Sequence, residues 1–82
     1  MKLYLLKPID NITPNPWEPW YDKAFGFVVR AKNENQARQM AQEQAGDEDR
    51  NGSPWLSDQQ SICVLLTATG KPEVIIRDFH AA

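Results

Sequence analysis

Hydrophobic and polar positions change period along the chain, and the changes mark out its elements. In residues 2–6, Leu3 and Leu5 fall on one side and Tyr4 and Leu6 on the other, the pattern of a strand. Pro8 must follow at its end, because it donates no ladder hydrogen bond. Pro8, Pro14, Pro16 and Pro19 each fix their own φ and turn the preceding residue away from helix, which predicts a stiff, extended loop. Alternation returns over 23–31, with Phe25, Phe27 and Val29 facing one way and Ala24, Gly26, Val28 and Arg30 the other. Gly26 in this second strand admits close approach of another backbone or ring.

Past Asn33 the period becomes helical. Asn33 suits an N-cap, Gln36 stands where a capping box needs it, and Ala37, Met40, Ala41 and Ala45 recur on one stripe before Gly46 closes the helix. That stripe is thin. Its alanines let the helix lie close to a sheet but bury little area, so the helix covers one face only. Residues 47–60 are polar and rich in turn signals, Asn51-Gly52 and Ser53-Pro54 above all, and Trp55-Leu56 reads as the pair that pins this loop onto the core. Residues 61–68 are nearly all apolar, the mark of a strand buried on both faces and therefore central. After the turn at Gly70 and Pro72, residues 73–77 form a fourth strand and 78–82 a tail. The order predicts an α+β fold, a four-stranded, largely antiparallel β-β-α-β-β sheet with one helix on a face. With one face left uncovered, a homodimer that buries it is expected.

The 82 residues amount to a single domain, which at this size removes only roughly 60% of its unfolded surface from water. A net charge of −2, spread through the chain, argues against duplex nucleic acid as partner. Charge interrupts the apolar start at Lys7 too early for a signal peptide, so a cytoplasmic location without membrane contact is expected. The one cysteine, Cys63, lies in an apolar run and reads as a small buried hydrophobe rather than a nucleophile. Asn11-Ile12-Thr13 fits a glycosylation pattern that a cytosolic protein never uses.

Candidate chemistry is sparse. With one histidine, one cysteine and no glycine-rich phosphate loop, the chain lacks the groups an enzyme matches to a task, and neither cofactor nor metal is called for. Asp78 and His80 make at most an incomplete metal site, and a solvated tail is the simpler reading. What stands out is 15–31, where Trp17, Trp20 and Tyr21 sit on the proline-rich loop just before Lys23 and the second strand. One reading makes these rings lids over an uncovered sheet face. The other makes them a recognition surface, with Trp20 in the core and Trp17 an exposed anchor for a protein partner. A third arrangement, which needs the ends of the second and fourth strands to lie together, gathers Trp20, Tyr21 and Lys23 with Arg30, Arg77 and His80 into an aromatic, basic pocket for a small nucleotide.

The run Asn-Pro-Trp-Glu-Pro-Trp-Tyr-Asp-Lys-Ala-Phe-Gly-Phe-Val-Val-Arg-Ala, with the ending Ile-Arg-Asp-Phe-His-Ala-Ala, resembles short bacterial and prophage-type proteins. In size, acidity and want of catalytic residues the chain is also similar in type to phage-borne anti-defence proteins such as anti-CRISPRs. That second likeness implies a non-enzymatic inhibitor that occupies a host protein or sequesters a nucleotide signal, and it assigns no residues.

Overall fold

A computed structural model describes residues 1–18 and 22–78. Strand β1 spans Lys2–Pro8, β2 Phe27–Ala31 and β3 Ser61–Leu66, and they form an antiparallel sheet in the order β2-β1-β3. One helix, α1 at Glu34–Glu43, and two short 3₁₀ turns, Asp47–Asn51 and Pro54–Leu56, lie between β2 and β3. The α+β class and the single helix are as expected. Among the described residues, however, the sheet has three strands rather than four: residues 73–77 form no strand and cross the back of the sheet instead. Val74, Ile75 and Ile76 run without alternation, so no register puts a defined face inward, and Pro72 removes a donor where a hairpin would begin.

The strand buried on both faces is β1, not β3. Tyr4, Leu5 and Leu6 are buried in succession, because β1 has a strand on either side and packing above and below. The apolar run 61–68 forms instead an edge strand, with Ile62, Val64 and Leu65 exposed. In β2 the strand starts late, at Phe27, and Phe25 is exposed. Gly26 does admit a close approach, since a Cβ there would lie 3.2 Å from the Leu6 carbonyl oxygen.

α1 begins as its sequence requires. Asn33 Oδ1 accepts from the Gln36 N–H at 2.9 Å, and Gln36 Oε1 reaches back to the Lys32 N–H at 2.7 Å, one residue beyond the usual box. It ends at Glu43 with Gln44 as C-cap, so Gly46 is not the helix stop. Gly46 is needed for another reason: a Cβ there would collide with the Asp22 carbonyl, which accepts from the Asp47 N–H. The helix stripe buries Ala37, Arg38 and Ala41, whereas Met40 is exposed.

One core lies between α1 and the sheet. Tyr4, Leu6, Val29 and Ala31 meet Ala37 and Ala41, and two tryptophans fill the space the small helix residues leave. Trp55 is fully buried, with Trp17 and Phe27 each edge-on to it at 4.9 Å between ring centroids. Leu56 beside it is exposed, so of that pair only the tryptophan packs into the core.

Buried polar groups fasten this core to its loops. Glu48, fully buried, accepts from Trp55 Nε1 at 3.0 Å and from the Ala24 N–H at 3.2 Å. Arg38 holds the start of β3. Its Nη1 donates to the carbonyls of Trp55 and Ser57, both at 3.1 Å, and to Ser61 Oγ at 2.8 Å. Its Nη2 donates to the Ser61 carbonyl at 3.1 Å. A buried guanidinium is tolerable only when so fully bonded.

Candidate functional site

The alternation of β1 decides what the back of the sheet presents. With Tyr4 and Leu6 in the core, Leu3, Leu5 and Lys7 face away from α1. The register sets Leu3 between Arg30 and Leu66, Leu5 between Val28 and Val64, and Lys7 beside Ile62. Beyond β3 the chain turns at Gly70, where φ is +154°, and returns across this face. The returning segment and the sheet enclose a groove of about 820 Å³, lined by Leu3, Leu5, Val64, Val74, Ile75 and Ile76 among others. Only Leu5, 6% exposed, is well covered, whereas Val74 is 78% and Ile75 51% exposed.

Leu5 and Ile76 also line a smaller cavity of about 380 Å³ at the Pro8 end of β1, so the two spaces adjoin. Here the lining becomes charged, with Lys7, Lys23 and Arg77 set among Asp10 and Asp78. Phe25 shares this lining, and Lys23 Nζ lies 4.9 Å from its ring centroid. An aliphatic groove ending in a charged, aromatic rim has the make-up of a macromolecular contact surface, apolar at the centre and polar at the edge.

The residues singled out in the sequence are distributed unevenly over this site. Lys23 and Arg77 come together in the smaller cavity. Arg30 does not join them: it is exposed opposite Leu3, about 13 Å along β1 from Lys7 at the rise of an antiparallel strand. Trp20, Tyr21 and His80 lie outside the described residues. Trp17 contradicts the expected anchor role. It is 1% exposed, edge-on to Trp55, with its Nε1 donating to the Gln60 carbonyl at 3.1 Å. The proline-rich loop folds its ring inward because α1 offers alanines there, leaving room for an indole.

The groove itself was not anticipated. Its signals were the Leu3/Leu5 alternation and an uncharged apolar run followed by Val74, Ile75 and Ile76. Nothing in the sequence marked Arg38 and Glu48 as buried, since charged residues on a helix and in an acidic run are ordinarily solvated.

No group of three or more His, Cys, Asp or Glu able to hold a metal occurs among the described residues. Cys63 is half-buried against the core, and burial pushes its thiol pKa up, the Glu34 carboxylate adding to the effect and Arg38 opposing it. A thiol so placed stays protonated and unreactive near neutrality. Among the described residues no helix is long and apolar enough to cross a membrane.

Compared with protein-family models, curated protein sequences and solved structures, the chain matches none.

Proposed function

We propose that the protein is a non-enzymatic binding protein that recognises a protein partner through the back face of its sheet, in the manner of a phage-type inhibitor of a host defence protein. The observation that supports this reading is the aliphatic groove, whose residues Val64, Val74, Ile75 and Ile76 stay exposed beside a charged rim. Exposed aliphatic side chains gathered in one patch are a feature of interaction surfaces, whereas scattered ones are not. The recognition surface is thus moved from the tryptophan loop, where Trp17 is core, to the opposite side of the sheet.

Capture from host lysate by wild-type protein and by a Val74→Asp/Ile75→Asp variant tests the reading. Both positions are at least half exposed, so the variant should melt within about 0.5 kcal/mol of wild type. It should lose the partner by tenfold or more. Undiminished capture by the variant overturns the assignment.

The smaller cavity supports a second reading, a small nucleotide held by Phe25 stacking and the cations of Lys7, Lys23 and Arg77. A thermal-shift screen separates the two. A nucleotide present at 100 times its Kd adds about 2.7 kcal/mol of stability, and Lys23→Gln should reduce that gain. Absence of any shift leaves the protein partner.

A further inference from the structure

Among the described residues the outer edge of β3 is unpaired past Ser61, whose N–H donates to the Ser57 carbonyl and whose carbonyl accepts from Arg38. Last in the sheet order, β3 turns one row of its N–H and C=O groups away from β1, and no strand lies beside it among the described residues. Such an edge templates pairing with another chain unless it is short, bulged, or carries charge or proline. β3 reads Ser-Ile-Cys-Val-Leu-Leu and carries neither charge nor proline. Its side chains are apolar on both faces, with Ile62 40%, Val64 46% and Leu65 47% exposed. The opposite edge, β2, is shorter and carries the exposed Arg30.

We infer that a second copy of the chain occupies this edge, β3 pairing antiparallel with its counterpart to give a continuous six-stranded sheet. Self-pairing suits this strand, because an uncharged sequence sets no like charges opposite one another. The chain as a whole also has surface to spare. The chain exposes 6169 Å², whereas a compact monomer of 9.4 kDa exposes about 5,000 Å². The surplus exceeds the roughly 800 Å² that each partner contributes to a standard interface. Identical antiparallel strands pair about a two-fold axis perpendicular to the sheet, so the contact is isologous and closes on itself. Both helices then lie on one side, and the two back-face grooves lie side by side on the other. This pairing uses the main chain of β3, whereas partner recognition uses the groove, so either can fail alone.

Sedimentation equilibrium of the full chain at tens of micromolar, with hydrogen exchange under the same conditions, tests the inference. The expected mass is twice 9.4 kDa, with consecutive β3 amides all protected and alternate ones released on dilution. Ile62, on β3 but not part of the groove lining, provides the variant: Ile62→Lys should weaken association more than tenfold while far-UV circular dichroism is unchanged. A monomer at these concentrations overturns the inference. So does a dimer whose alternate β3 amides exchange like loop amides, or one that Ile62→Lys leaves as tight as before. A monomer that still captures a partner through the groove sinks the pairing alone, and a dimer that captures nothing sinks only the partner reading.

Discussion

Replacing Arg38 by Met keeps the length of the apolar stem and removes every donor, which isolates what the guanidinium does. In the native protein it satisfies the carbonyls of Trp55, Ser57 and Ser61 and bonds the Ser61 hydroxyl, all deep beside the core. Hydrogen bonds from a charged donor contribute about 1.5–3 kcal/mol each in measured cases, but these share one group and are not additive. Some loss is recovered, because the Ser61 hydroxyl also lies 2.9 Å from the Pro54 carbonyl and 3.0 Å from that of Ser57. A net cost of about 3–4 kcal/mol is therefore expected, against a total of ~4–12 kcal/mol for a chain of this length. The melting temperature should fall by roughly 15–25 °C. The ion pair to Glu34, 2.8 Å long, contributes little by comparison because the Glu34 carboxylate is half-exposed. Glu34→Gln should accordingly cost under about 1 kcal/mol. Urea melts of both variants check the reasoning. Equal losses from Arg38→Met and Glu34→Gln, or a loss below about 1 kcal/mol for Arg38→Met, would show that the clamp on the loop carbonyls is not what Arg38 supplies.

The other expectations use the same assays. Trp17→Ala should cost about 3–5 kcal/mol, since it empties space beside Trp55 and leaves the Gln60 carbonyl short of a donor; an unmoved melting curve would mean the ring is not core. Glu48→Gln retains one acceptor for the two donors from Trp55 and Ala24 but loses the charge, for a cost of about 1–2 kcal/mol by urea melt. Cys63 should alkylate slowly in the native state near pH 8 and rapidly in urea, and equal rates would argue against its burial. Its raised thiol pKa also has a linkage sign: above pH 9.0 the unfolded chain has lost a proton that the folded chain keeps, so stability falls there. A Cys63→Ala variant should lose that part of the alkaline decline.

How much of this was legible in the sequence depends on whether the deciding physics is local. The cap at Asn33 and Gln36 is settled within a few residues of chain, and it forms where the sequence puts it. So does the close approach at Gly26. Sheet order is not local. An apolar run such as 61–66 satisfies a strand buried on both faces and equally an apolar edge awaiting a partner, and nothing within the run distinguishes them. The central place expected of 61–68 belongs to β1, the strand both others pair with. Trp17 was misread for a related reason. Its surroundings in sequence are proline and glutamate, which suggest exposure, but its partner is Trp55, a residue from the far side of the helix. In the candidate site, Lys23 and Arg77 were identified as neighbours only conditionally, through a fourth strand that does not form. They meet because the chain after β3 crosses the sheet.

The bonds that fasten 54–61 have a bearing on how this protein can change over generations. Arg38 reads the carbonyls of Trp55, Ser57 and Ser61, while the carbonyl of Gln60 accepts both from Trp17 Nε1 and from the Ile9 N–H. All of these acceptors belong to the main chain, which every residue type supplies. Positions such as Gln60 can therefore drift in side chain while the loop keeps its path, provided the donors Trp17 and Arg38 persist. Distant kin would share little running identity through this loop and still retain a sparse set of fixed points, Trp17, Arg38, Glu48, Trp55 and Ser61, and it is by that set that they should be sought.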